Sequence, residues 1–191
     1  MTKEKIINIP NALSFYRILV FPLILWFLFH GEERMFAIFL CINLATDVLD
    51  GFIARTFNMV TKLGARIDSL GDYGTFILAF IGVCMFKGND LAEHGLIFYV
   101  FIAMFIFMEV LYFIRFRTFS SLHLYSFKTT GYIQGVLFIT WFFIGFNPWV
   151  YYFSMGFGIL SVIETIIITF ILKEKRSNAK GLYWILKENN A

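Results

Sequence analysis

The sequence predicts an all-α integral membrane protein. Six transmembrane helices are expected, with N- and C-termini cytosolic and a short N-terminal amphipathic segment. Three observations carry this. Of the 191 residues 59% are hydrophobic and only 15% charged, where a soluble chain holds about a quarter charged. The apolar residues form continuous runs without strict alternation, and lipid admits only helices or closed barrels as spanning structures. With the N-terminus inside, 14 of the 16 Lys and Arg residues fall on the inner side, leaving only Arg34 and Lys87 outside. Such an asymmetry is what the positive-inside rule demands, and a missed or invented span would scramble it.

The elements follow in order. The segment "KEKIINIPNALS" mixes Ile6, Ile7 and Ile9 with lysines and is expected to lie on the headgroup surface. Pro10 and Asn11 then break it, and Ser14 is the expected cap of span one. The six apolar runs are Ser14–Phe29, Met35–Phe52, Leu70–Phe86, Gly95–Ile114, Gly131–Phe146 and Pro148–Leu172. Most approach the roughly 20 residues a bilayer core requires; the fifth is short and the sixth long enough to tilt. Asn147-Pro148 makes the turn between the last two. The length allows a single domain, residues 1–191. The polar start, with no small-residue cleavage site after the first run, predicts no cleavable signal peptide. Cys41 and Cys84 lie in apolar stretches and read as core residues, not as a disulfide or metal pair. The net charge of +3 is mild, and no nucleic-acid partner is expected.

One stretch departs from this grease. Asp47, Asp50, Asp68 and Asp72 lie between Thr46 and Phe76, at the inner ends of spans two and three. Spacings of three and four put each pair on one helical face, and a connector of some fourteen residues lets the faces turn towards each other. Four carboxylates in a partly desolvated site repel one another, and some protonate unless cations neutralise them. Two divalent ions supply that balance. Mg²⁺ or Mn²⁺ suits carboxylate oxygen and shares it readily with substrate phosphates. A two-metal carboxylate site at a cytosolic opening points to phosphoryl-type substitution. Gly51, Ala54 and Gly64 leave room for a ligand, and Arg55 can pair with phosphate oxygens in bidentate fashion.

Two other chemistries use acids in a helical bundle. A cation-coupled transporter binds Na⁺ or H⁺ on carboxylates. Six spans without an inverted repeat are sparse for one, however, and here the acids cluster at one face. An intramembrane prenyltransferase also uses paired aspartates around Mg²⁺-diphosphate, with a longer bundle and without the Gly-x2-Ala-Arg core.

At these residues the sequence resembles the CDP-alcohol phosphatidyltransferases, whose signature is D-x2-D-G-x2-A-R-x8-G-x3-D-x3-D. Asp47, Asp50, Gly51, Ala54, Arg55, Gly64, Asp68 and Asp72 fill every defined position with the spacings intact. The opening "NIPNALSFYRI" (Asn8–Ile18) is similar to that of bacterial members. The resemblance implies that Asp47, Asp50 and Asp68 bind two metals, with Asp72 at the metal site and acting as general base. It implies that Gly51, Ala54 and Gly64 line a cytidine pocket with Thr46 nearby, and that Arg55 holds the donor phosphates. The implied reaction is attack of an alcohol on the lipid-side phosphorus of CDP-diacylglycerol, expelling CMP. No Ser/His/Asp or Cys/His arrangement argues for a covalent enzyme intermediate. The resemblance further implies a homodimer; a bacterial inner membrane, with the site facing the cytosol, is the expected setting.

The acceptor alcohol is less marked. The loop Arg115–Gly135 brings Arg115, Arg117, His123 and Lys128 to the inner face, and with Arg66 they form a candidate pocket for an anionic acceptor. Positive-inside bias and headgroup contact account for the same residues. "FKTTGYIQ" is loosely similar to members that use glycerol 3-phosphate, whereas "DSLGDYGTF" reads nearer the serine-using pattern. Glycerol 3-phosphate is weakly favoured, with inositol phosphate, inositol or serine as alternatives. Glu109 and Glu164 must face the bundle interior, where Arg17 or a loop arginine is the expected brace. His30 and His94 fall on the outer side, away from the acids.

Overall fold

The computed structural model describes residues 8–57, 59, 61–118, 120, 122, 124–172, 174–176 and 179–189. Among them there is no strand. The helices are α1 (Ile9–Phe29), α2 (Glu33–Thr56), α3 (Lys62–Phe86), α4 (Gly88–Phe116), α5 (Tyr125–Ile139), α6 (Pro148–Ile171) and α7 (Leu182–Asn189), with a π-helical turn, Thr140–Ile144, continuing α5. Among the described residues five helices are long and apolar enough to cross a membrane: α1, α2 through Ala54, α3 from Arg66, α4 and α6. The protein is thus multi-pass and all-helical. The expected fifth run is the one outside this set, because α5 has 15 residues before the backbone widens into the five-residue π turn. Of the N-terminal amphipathic segment, residues 1–7 lie outside the described residues.

The chain forms two compact units, Met1–Asn89 and Asp90–Ala191. In the first, α1 packs against both α2 and α3, which also pack against each other. Helix α1 starts earlier than Pro10 and Asn11 suggest. Asn8 is extended and its side chain accepts the Asn11 N–H at 2.9 Å, while Pro10 sits in the first turn, where a missing N–H costs nothing. Asn8 is therefore the cap, and Ser14 lies inside the helix. One half of this unit is apolar core: Ile24, Leu28, Phe36, Ala37, Leu40, Leu78 and Val83 are buried. In lipid such contacts act through packing density more than through transfer from water. A Lys87–Glu33 ion pair at 2.6 Å joins α2 to the end of α3 there.

In the second unit α5 packs against α6 through buried hydroxyls, with Thr130 Oγ1 and Ser161 Oγ 2.7 Å apart. Small hydroxylated residues permit close helix approach in lipid and satisfy each other. The expected Asn147-Pro148 turn is present. Asn147 Oδ1 accepts from the N–H groups of Trp149 and Val150 at 3.0 and 3.2 Å, and Pro148 opens α6. Gly145 takes φ +128, a backbone conformation side chains rarely allow. At the other end of α6, Tyr112, Leu122, Leu124, Ile168, Leu172, Ala179 and Ile185 form one buried cluster, which docks α7.

The glutamates find partners other than Arg17. Glu164 accepts from the Ser126 hydroxyl and from the Leu182 N–H, the latter at 2.8 Å, tying α6 to α5 and to the start of α7. Glu109 accepts the Ser120 N–H at 3.2 Å. Both satisfy backbone N–H groups at chain reversals; Arg17 is engaged by the aspartates instead.

Candidate active site

Helix α2 carries Asp47 and Asp50 one turn apart near its C-terminal end, and α3 carries Asp68 and Asp72 near its start. The connector is shorter than the sequence suggests. Most of the fourteen or so residues are helical, since α2 runs to Thr56 and α3 starts at Lys62. The N-terminal part of α1 braces this reversal: Asn8 Nδ2 donates to the Met59 carbonyl at 3.1 Å and Asn11 Nδ2 to Thr61 Oγ1 at 3.1 Å. Thr61 in turn accepts the Gly64 N–H at 2.9 Å and caps α3. A Cβ on Gly64 would strike Asn11 Oδ1, so a glycine is what lets α1 lie this close.

Into the seam α1 sends Arg17, whose side chain is 1% exposed. Its Nη1 donates to Asp47 Oδ1 and, at 3.0 Å, to Asp72 Oδ1. Its Nη2 donates to Asp50 Oδ2 at 3.1 Å and to Asp68 Oδ1 at 2.6 Å. Each terminal nitrogen thus joins one carboxylate of α2 to one of α3. Ser14, one turn earlier, donates to Asp50 Oδ2 at 2.8 Å. Gly71 makes room for the guanidinium, since a Cβ there would lie 3.2 Å from Arg17 Cζ. One positive charge faces four carboxylates, so the cluster is short of cations.

Accessibility grades the four acids. Asp50 is the floor at 3%, Asp47 and Asp68 lie at 38% and 39%, and Asp72 is the most open at 49%. Oxygens of Asp47, Asp50 and Asp68 come within 4.8 Å of one another, an arrangement that could hold a metal ion. All-oxygen donors of this kind suit hard divalent cations. Among the described residues, three buried polar groups on α1, α2 and α3 find no hydrogen-bond partner: Arg17 Nε, both amide atoms of Asn43 and Thr75 Oγ1.

The other expected site residues divide by unit. Gly51 and Ala54 are half-buried on α2, and Thr46 Oγ1 donates to the Asn43 carbonyl at 2.8 Å. Arg55 belongs to α2, its side chain lying outside the described set; Arg66 is exposed on α3. In the second unit Arg115 Nη2 donates to the Leu172 carbonyl at 2.9 Å and so closes the end of α6. Arg117 follows α4 with φ +56, and the Lys128 ammonium lies 5.9 Å from the centre of the Tyr125 ring. His123 lies outside the described residues. Sequence reasoning missed Ser14 and the role of Arg17. A signal existed, since an arginine two turns inside an apolar helix needs an acidic partner, and the aspartates are a supply.

This constellation, with its eight motif residues in register, agrees with the family comparison. The CDP-alcohol phosphatidyltransferase model matches residues 7–171, through both compact units. The chain belongs to this family. Among its relatives is the CDP-diacylglycerol--glycerol-3-phosphate 3-phosphatidyltransferase of Aquifex aeolicus, 42% identical over 66 residues, 34% of this chain and 36% of that protein. The enzyme of the same name from Rickettsia typhi is 28% identical over 89 residues, 45% of this chain and 49% of that one. A cardiolipin synthase (CMP-forming) / mitochondrial hydrolase fusion protein of Schizosaccharomyces pombe is 36% identical over 70 residues, 37% of this chain and 12% of that protein. The chain thus spans less than half the length of these relatives. No solved structure matches it.

Proposed function

We propose that the protein synthesises phospholipid, moving a phosphatidyl group from CDP-diacylglycerol to a small polar alcohol with release of CMP. The observation that carries this reading is the convergence of all four motif carboxylates, from two helices, on a single buried point. Asp47, Asp50, Asp68 and Asp72 would hold two Mg²⁺ or Mn²⁺ ions, four charges against four. Bound there, the ions supply stabilisation of the charge that develops on the departing CMP phosphate.

The side chains do the rest. Asp72, the most open of the four, takes the proton of the acceptor hydroxyl as its oxygen bonds to the lipid-side phosphorus. The bond from that phosphorus to the oxygen of CMP breaks, and CMP carries the electron pair away. Arg55 pairs with the donor phosphates, and Thr46, Gly51, Ala54 and Gly64 line the cytidine. Glycerol 3-phosphate is the favoured acceptor, supported by the names of the Aquifex and Rickettsia relatives. Arg66, two residues before Asp68, is proposed to receive its phosphate, and Arg115, Arg117, His123 and Lys128 of the second unit are candidates from the sequence. The working form is a single domain, a homodimer in the bacterial inner membrane, with six spans, both ends cytosolic and the site on that side.

Purified protein with Mg²⁺ or Mn²⁺ should release CMP from CDP-diacylglycerol in the presence of one member of a panel: glycerol 3-phosphate, inositol phosphate, inositol or serine. Release with none of them would sink the enzyme reading, and Asp47-dependent electrogenic ion uptake in liposomes would favour a transporter. Asp72→Asn should abolish turnover while leaving CDP-lipid binding largely intact; unchanged turnover would remove it as base.

A further inference from the structure

We infer that Arg17 is a built-in counter-cation of the aspartate cluster. It exchanges with the incoming ions, and its guanidinium withdraws to acceptors one turn deeper, at Asn43 and Thr75. The inference rests on the metal-site reading above. A guanidinium bonded to one oxygen of each of the four carboxylates competes with incoming ions for them. Two divalent cations and a guanidinium within a few ångströms repel one another strongly in a partly desolvated site. That repulsion favours withdrawal of the arginine as ions load.

The structure offers it somewhere to go. Asn43 is four residues before Asp47 on α2, and Thr75 is three after Asp72 on α3, so each lies about one turn, ~5 Å, further into the bundle. Asn43 is wholly buried and Thr75 5% exposed, yet Asn43 Oδ1 and Thr75 Oγ1 have no donor, and Arg17 Nε has no acceptor. Buried polar atoms without partners are rare enough to require a reason. A guanidinium that leaves the carboxylates and donates to Asn43 Oδ1 and Thr75 Oγ1 supplies both acceptors, while Asn43 Nδ2, a donor, is not served by it. Arg17 is then a positioning residue. Without metal it holds α2 and α3 together against the repulsion of their acids, and it sets the threshold at which ions load.

The test uses full-length protein in detergent, with Mn²⁺ binding read from the EPR signal of the free ion and thermal melting followed in chelator and in saturating Mn²⁺. Arg17→Gln should melt lower than wild type in chelator and gain more on adding Mn²⁺. It should also bind its first Mn²⁺ about tenfold more tightly, the equivalent of ~1.4 kcal/mol, with Arg17→Lys between the two. Asn43→Leu should melt in chelator at or above the wild-type temperature and bind Mn²⁺ about tenfold more weakly. Recovery of Arg17→Gln only when Mn²⁺ is present is the same result in extreme form. Weaker Mn²⁺ binding by Arg17→Gln would make Arg17 a permanent brace and overturn the exchange. So would its failure to fold in either condition, with Arg17→Lys binding no tighter than wild type. An unchanged affinity in Asn43→Leu overturns the deeper acceptors. Wild-type protein that binds no Mn²⁺ ends the metal site itself, a distinct result.

Discussion

Ser14 shows how little of a site its charged residues describe. Asp50 is the most buried acid of the cluster, and a carboxylate at 3% exposure needs donors from the protein. Among the described residues two donate to it, the Ser14 hydroxyl and Arg17 Nη2. Ser14→Ala leaves Asp50 with one, and hydrogen bonds to charged groups contribute about 1.5–3 kcal/mol. A lower melting temperature in detergent is therefore expected, with Ser14→Thr retaining most of the wild-type stability; an unchanged melting temperature in Ser14→Ala would show the bond to contribute nothing. The eight motif positions were legible because their spacing is local and helical. Ser14 and Arg17 lie thirty or more residues from the acids they serve, and periodicity along one helix says nothing about which face of another it meets. Burial is what names Arg17, and burial is a property of the fold.

At the scale of the elements, the apolar runs located every long helix but misjudged their ends. Helices α2 and α3 continue through the polar residues at their joined ends, since backbone hydrogen bonding does not stop where lipid-facing residues do. That continuation carries the two helices much closer together in sequence than a connector of fourteen residues suggests, with α2 reaching Thr56 and α3 starting at Lys62. Helix α7 was not legible at all. Eight residues with one buried isoleucine carry too weak a pattern, and isolated helices of that length are marginal in water. Its position is set by Ile185 in the Tyr112 cluster and by Glu164, which accepts the Leu182 N–H at the helix start. Glu164→Leu should release this end. Amide hydrogen exchange over residues 182–186 should quicken by about tenfold or more, as expected for a lost bond of roughly 1.5–3 kcal/mol, with α4 unchanged. Equal protection in the variant would mean that packing alone holds α7.

For the whole molecule the open question is whether the chain crosses the membrane five or six times, and charge and length argue it together. Tyr125–Ile144 is a continuous helical stretch, α5 followed by the π turn. At about 1.5 Å per residue it reaches about 30 Å, the thickness of the hydrocarbon core. If it did not span, α6 would carry the C-terminal segment to the outer side, together with Lys173, Lys175, Arg176, Lys180 and Lys187. Five cations exported against the positive-inside bias is the costlier arrangement. Cys41 and Cys84 are unpaired and can be replaced to give a background without thiols. In that background Trp149→Cys, at the highly exposed start of α6, should react with a membrane-impermeant maleimide applied to the outside of intact cells. Lys187→Cys should react only after the membrane is opened. A five-span chain reverses both results, because Trp149 would then lie inside and Lys187 outside. Labelling of Lys187→Cys in intact cells would thus return α5 to the cytosolic surface and separate the C-terminal segment from the side on which the aspartates are proposed to work.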